Sequence, residues 1–174
     1  MIKYITKAEK ELTKKSKFIR VSKYVEKKIS ISEVSNLIRQ QIANKRGDDF
    51  ERKVVHFNKP KFFDELFSHP NLKKFTNEGP VTPDHVIRIK SKPLIIDLSK
   101  EKSNDLEKFI IQSIESFKEN YKKYFKRNHK YNSSASMLDP YPRLILVKGI
   151  GIFSTGPTFK AVSYTHLRAH ETHP

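Results

Sequence analysis

Asp84, His85, Arg88 and Lys90 fall in one short stretch, "TPDHVIRIKSKPL" (82–94). An acid beside an imidazole can move or hold a proton, and two nearby cations suit an anionic ligand such as a phosphate or carboxylate. Pro83 keeps Thr82 out of the helical region, which places Asp84 and His85 at the mouth of a strand. On a strand, positions 86, 88 and 90 share a face, so Arg88 and Lys90 are expected to act together. Two other readings stay open. His85 could ligate a metal with Asp84 as its outer partner. The stretch could also be a solvent-facing ladder whose first turn Asp84 stabilises.

The other candidates are weaker. "DPYPRLILVKGIGIFSTG" (139–156) places Gly149, Gly151 and Gly156 after an apolar run. It lacks the third glycine of a dinucleotide fingerprint at the required spacing, so it reads as a tight turn. His56, His69 and His129 are isolated. His166 and His170 stand four apart and His173 follows, which imitates a metal pair on a helix. However, "VSYTHLRAHET" (162–172) agrees with a translation of the mosaic-end and adaptor sequence used in transposase-based sequencing libraries. Residues 162–174 are therefore expected to be adaptor-derived and are set aside from the fold.

These residues need elements to hold them. Ile2, Ile5, Ala8 and Leu12 give a helix within 2–18 by their spacing. Ser30 and Glu33 have capping-box spacing before a helix over 30–45, with Val34, Leu37, Ile38 and Ile42 as its apolar stripe. "KVVHFN" (53–58) predicts a strand, and 59–70 a short helix stopped before Pro70. A loop is expected at 77–83, and one or two strands broken near Pro93 at 85–98. The longest helix falls at about 104–127, with Asn104 and Glu107 as caps. A polar loop follows at 128–142. Residues 143–156 predict strand, glycine turn and strand, and 157–161 the start of another helix.

The 174 residues suffice for one domain with a core. The absence of cysteine removes disulfides and thiolate chemistry and suits a reducing cytoplasm. No apolar run approaches the roughly 20 residues that span a bilayer, so no membrane role is expected. The formal charge of +16 raises a nucleic-acid role. Yet only 8 of the 35 basic residues are Arg, the residue favoured for forked phosphate and base contacts. Abundant Lys, Ile, Asn, Phe and Tyr is also what AT-rich codons produce. A solvated lysine surface with no nucleic-acid partner is the expectation; a stand-alone basic module for a polyanion is the alternative.

The two blocks "TPDHVIRIKSKPL" and "DPYPRLILVKGIGIFSTG", in this order, resemble signatures of the bifunctional class II aldolase/short-chain dehydrogenases, the rhamnulose-1-phosphate aldolase/alcohol dehydrogenase type. In that family a middle region carrying both signatures lies between an aldolase domain and a Rossmann dehydrogenase domain. Ile89 replaces the usual Thr and Lys148 an often-found Pro. "YITKAEKEL" (4–12) looks like the closing helix of the aldolase domain. Class II aldolases also carry "NHGLxxxG", whose His binds the metal; Gly151 and Gly156 keep its glycine spacing, and Ile150 falls at the histidine.

The resemblance implies that the chain is an internal fragment. Residues 1–24 would close an upstream aldolase domain and lead into a linker. Residues 25–161 would form the middle lobe, an α/β (α+β) unit incomplete at both ends. Its mixed or antiparallel sheet, from about 53–58, 86–98 and 143–155, would be covered by helices at 31–45 and 104–127. The parent would be a cytoplasmic enzyme of carbohydrate metabolism. It would use a divalent metal, zinc by resemblance, and NAD(P) to act on a sugar phosphate or aldehyde. The fragment would bind neither cofactor and be inactive alone. Its partners would be the flanking domains, and Asp84, His85, Arg88 and Lys90 its ligand contacts. A scaffold lobe without a ligand is the remaining alternative.

Overall fold

The computed structural model describes residues 10–11, 29–46, 49–61, 63–80, 83–98 and 105–163. Residues 10–11 are helical; the rest of the expected 2–18 helix and the histidines at 166, 170 and 173 lie outside the described residues.

Two short strands, β1 (Asn44–Arg46) and β2 (Asp49–Glu51), pair antiparallel as a separate ribbon. The main sheet has four strands: β3 (Val54–Asn58), β4 (Leu94–Ile96), β5 (Leu144–Val147) and β6 (Gly151–Gly156), in the order β3-β6-β5-β4. β6 is antiparallel to β3 and β5, whereas β4 is parallel to β5. The sheet is thus mixed, one of the two arrangements expected of this α/β unit. A parallel pair needs a long crossover, and the 24-residue helix Leu106–His129 supplies it.

Alternation along the strands builds two cores. Ile145 and Val147 of β5, Leu94 and Ile96 of β4 and Phe153 of β6 point to one face. There they meet Val34, Ile38 and Ile42 from helix α1 (Ile31–Gln41) and Ile110 and Ile114 from the long helix. Leu144, Leu146 and Ile152 point to the other face. They pack on Phe63 and Phe67 of α2 (Phe63–Ser68), Leu72 of α3 (Leu72–Glu78) and Ile89 of α4 (Pro83–Ile89). Strands buried on both faces require apolar residues at every position, which "LILV" of β5 provides. The long crossover helix is α5.

The helix caps depart in part from expectation. Ser30 stands at the N-cap of α1, but its hydroxyl contacts Ser32 Oγ at 2.6 Å instead of closing a capping box. At α5 the cap is Asp105, whose carboxylate accepts from Lys108 N at 2.9 Å. Asn104 lies outside the described residues.

One expected strand is a helix. Residues 83–89 form α4, so only Leu94–Ile96 of the 85–98 stretch joins the sheet. Pro83 sits at the first helical position, where its missing N–H costs nothing and its fixed φ fits. Asp84 follows in sequence, an acid of the kind enriched in first helical turns. Those start signals outweigh the local alternation of "HVIRIK". The loop expected at 77–83 shrinks accordingly, because α3 runs to Glu78.

The hairpin joining β5 to β6 turns through Gly149, with φ 81°. At Gly151 the constraint is space. A Cβ there would come within 2.4 Å of Phe57 Cε2 and 2.8 Å of the Asn58 carbonyl. Phe57 is itself fixed by its partner across the ladder, Phe153, at 5.1 Å between ring centroids. Gly151→Ala is expected to lower stability by about 2–3 kcal/mol through forced displacement of β3, measured as a shift of the urea midpoint with unchanged slope.

Candidate functional site

Asp139, the first residue of the second sequence block, gathers the charged groups of the lobe. Its Oδ2 accepts from Arg143 Nη2 at 2.6 Å, and its Oδ1 lies 3.2 Å from Lys53 Nζ. Its backbone carbonyl accepts from Lys90 Nζ. Lys53 and Lys90 are 5% and 3% exposed, so both cations are committed to protein partners. Aromatic faces complete their surroundings. Lys53 Nζ lies 4.6 Å from the Tyr141 ring centre, and Lys90 Nζ 3.9 Å from Tyr121 and 5.9 Å from Phe117.

Each member comes from a different place in the fold. Lys53 immediately precedes β3, Lys90 follows α4, Tyr121 and Phe117 belong to α5, and Asp139 and Arg143 flank the approach to β5. Lys90 adopts φ 66°, a left-handed conformation that ends α4 and turns its side chain inward. The approach to β5 is fixed from the far side by Thr155, whose Oγ1 donates to the Pro142 carbonyl at 2.6 Å and whose N–H donates to the Arg143 carbonyl at 2.9 Å. Both sequence blocks therefore meet at Lys90 and Asp139.

The electrostatics follow from burial. Burial pushes the Lys90 ammonium down to about 8, and Arg143 and Lys53 act in the same direction against the pull of Asp139. Burial alone would raise the Asp139 carboxyl, but Arg143, Lys53 and Lys90 together hold it below its ordinary value. Burial, then Asp139 and Tyr124, raise the Tyr121 phenol.

The Lys90 wall borders a cleft of about 760 Å³ between α5 and the segment from the end of α3 to β4. Lys92, Lys123, Arg127 and Tyr124 also line it, with Glu78 as its acid. Lys92 Nζ donates to Asn77 Oδ1 at 3.1 Å at its rim.

The expected four-residue site is only partly assembled. Arg88 is exposed on α4, whereas Lys90 is buried, so they do not share the strand face expected of them. The helix breaks that pairing, because positions two apart on a helix point in different directions. Asp84 and His85 lie in α4, and their side chains are outside the described residues. Lys53, Asp139, Arg143, Lys92, Lys123 and Arg127 lie outside the expected four-residue set. The one local signal was the i, i+4 spacing of Asp139 and Arg143, placed beside prolines where a helix is barred.

Asp139→Asn is expected to cost about 2–3 kcal/mol, because it leaves two largely buried cations without their counter-charge; urea unfolding at neutral pH measures it. Lys90 gives a separate pH signature. Its ammonium is harder to charge in the fold than in the unfolded chain, so it weakens the fold below about pH 8. As pH rises from about 8 toward 10, the unfolded chain holds more protons than the fold and stability increases. Lys90→Met keeps an unbranched side chain of similar length but removes the titrating proton. The rise in stability between pH 7.5 and about 9.5 should shrink by roughly 1–2 kcal/mol in that variant, measured by unfolding at the two pH values.

The description "Aldolase class II, second domain" belongs to a family whose model matches residues 30–169. That span covers both sequence blocks and all four main strands, and it overlaps the start of the stretch attributed above to adaptor sequence. Val162, just inside that stretch, is fully buried against Gly156. The chain is also similar to "Uncharacterized oxidoreductase YuxG" of Bacillus subtilis (strain 168), 34% identical over 103 residues, 52% of this chain and 14% of that protein. It thus spans only about a seventh of that relative's length. No solved structure matches the chain. A sheet, two signature blocks and a charged clamp that joins them all fall inside the matched span, and the chain belongs to the aldolase class II second-domain family.

Proposed function

We propose that this chain is the middle lobe of a longer cytoplasmic enzyme. That enzyme joins a metal-dependent class II aldolase, acting on a sugar phosphate, to an NAD(P)-dependent short-chain dehydrogenase acting on an aldehyde or alcohol. The observation that carries this reading is membership of a second-domain family combined with similarity to a small part of a much longer protein named an oxidoreductase. The order and spacing of the two sequence blocks support it.

Among the described residues, neither a metal-ligand set nor a glycine phosphate cradle is assembled. Among the described residues, no three His, Asp or Glu side chains converge as a metal site. Ile150, 7% exposed, occupies the position where the resemblance puts a metal-binding histidine. The glycine turn offers no phosphate cradle, because the space beside Gly151 is filled by Phe57 and the Asn58 carbonyl. In this reading the divalent metal, zinc by resemblance, and NAD(P) are held by the neighbouring domains. The lobe contributes a rigid α/β frame and a charged cleft, and alone it catalyses neither reaction.

The test is to express this chain beside the longer reading frame of its source. The longer protein should cleave a sugar phosphate in a chelator-sensitive manner and reduce or oxidise NAD(P), while this chain does neither. A longer frame whose upstream part lacks metal-binding histidines and aldolase activity would sink the proposal.

A further inference from the structure

We infer that the cleft between α5 and the α3–β4 segment binds the phosphate group of a small phosphorylated organic ligand. The inference does not rest on the two-activity reading, because it concerns binding by this chain itself.

The distribution of charge on α5 carries the argument. Two of its lysines have acids one turn back: Lys118 meets Glu115 at 2.6 Å and Lys122 meets Glu119 at 2.7 Å. Lys123 and Arg127 are treated differently. They stand at i, i+4 on the face that lines the cleft and close no ion pair among the described residues; Glu119, one turn before Lys123 and near enough to act on it, is paired with Lys122. Across from them, Lys92 is positioned by Asn77, and Lys90 adds its charge from within the wall. Four cations therefore border a concavity whose acid is Glu78.

A phosphate dianion suits this arrangement better than a carboxylate. It can accept a forked bond from the Arg127 guanidinium while other oxygens face Lys123 and Lys92. A monoanion would leave more of that charge unmatched. The cleft volume lies within the range of small-molecule sites, and it far exceeds what inorganic phosphate fills. Tyr124, 40% exposed between Lys123 and Arg127, offers a ring for the organic body.

The experiment is calorimetric titration of the 174-residue chain with glycerol 3-phosphate and with inorganic phosphate, at constant ionic strength held with chloride. Saturable one-to-one binding is expected, tighter for glycerol 3-phosphate. The double variant Lys123→Ala with Arg127→Ala should weaken it by about tenfold or more. Lys108→Ala with Lys126→Ala removes the same charge from α5 outside the cleft and should change it less than about twofold. All four positions are on the helix surface, and matching thermal melts would verify folding. Absence of saturable binding, equal loss in the two double variants, or binding of inorganic phosphate alone overturns the inference. So does uptake of a single-stranded RNA oligomer without either small ligand, which would assign the charge to an extended polyanion.

Discussion

Asp139 is the point on which the lobe depends. Lys53 and Lys90 reach it from segments far apart in sequence, and Arg143 joins from four residues along the chain. Buried ion pairs seldom add stability over an apolar core of the same shape, since desolvation offsets attraction. Their effect is specificity. A hydrophobic contact would let the 130–143 segment settle in several ways on the sheet. A carboxylate that must face Lys53 and Arg143, with its carbonyl on Lys90, selects one. The clamp also explains why both conspicuous sequence blocks are needed together: Lys90 belongs to one and Asp139 to the other.

Lys90 shows how much structure this arrangement requires. The residue takes a left-handed backbone conformation disfavoured for anything but glycine. It also buries an ammonium whose charged form the surroundings penalise. A glycine would remove the first cost, and a methionine the second. Neither would reach Asp139 with a hydrogen-bond donor and rest on the Tyr121 face. The strain therefore tracks the connection, and that connection fixes the end of α4 beside the cleft.

Much of this fold was legible from periodicity. The β5–β6 hairpin, β3, α1 and α5 follow from apolar stripes, alternation and glycine punctuation, whereas the sequence leaves mixed and antiparallel sheets open until β4 is seen parallel to β5. α4 was not, because "HVIRIK" alternates like a strand over too few residues to test the helical period. Pro83 and Asp84 are the correct local clue: together they mark a helix start and not a strand entry. The site was less legible than the fold. Arg88 and Lys90 were paired on the basis of that strand and separate once the helix forms. Lys53 and Asp139 are 86 positions apart, and no local pattern relates them. Lys123 and Arg127 look like any other charges on a lysine-rich helix until the ion pairs closed by Lys118 and Lys122 are seen beside the cleft-lining pair that closes none.

Lys90 belongs to both the clamp and the cleft: it donates to the Asp139 carbonyl and forms part of the cleft wall. The net charge of the chain does not by itself create a binding field, because exposed charges more than about 8 Å apart are largely screened at physiological ionic strength. Local compensation decides. On one side of Lys90, Asp139 supplies negative charge; on the cleft side, the cations of Lys92, Lys123 and Arg127 outnumber Glu78. An anion in the cleft would act on Lys90 in the same sense as Asp139 and favour its charged, hydrogen-bonded form. Occupancy would thereby strengthen the contact that holds α4 to the 139–143 segment. By linkage, whatever ligand favours the clamped state is bound more tightly by it. The lysine whose charge burial disfavours is then the element through which an anion in the cleft would favour the clamped arrangement.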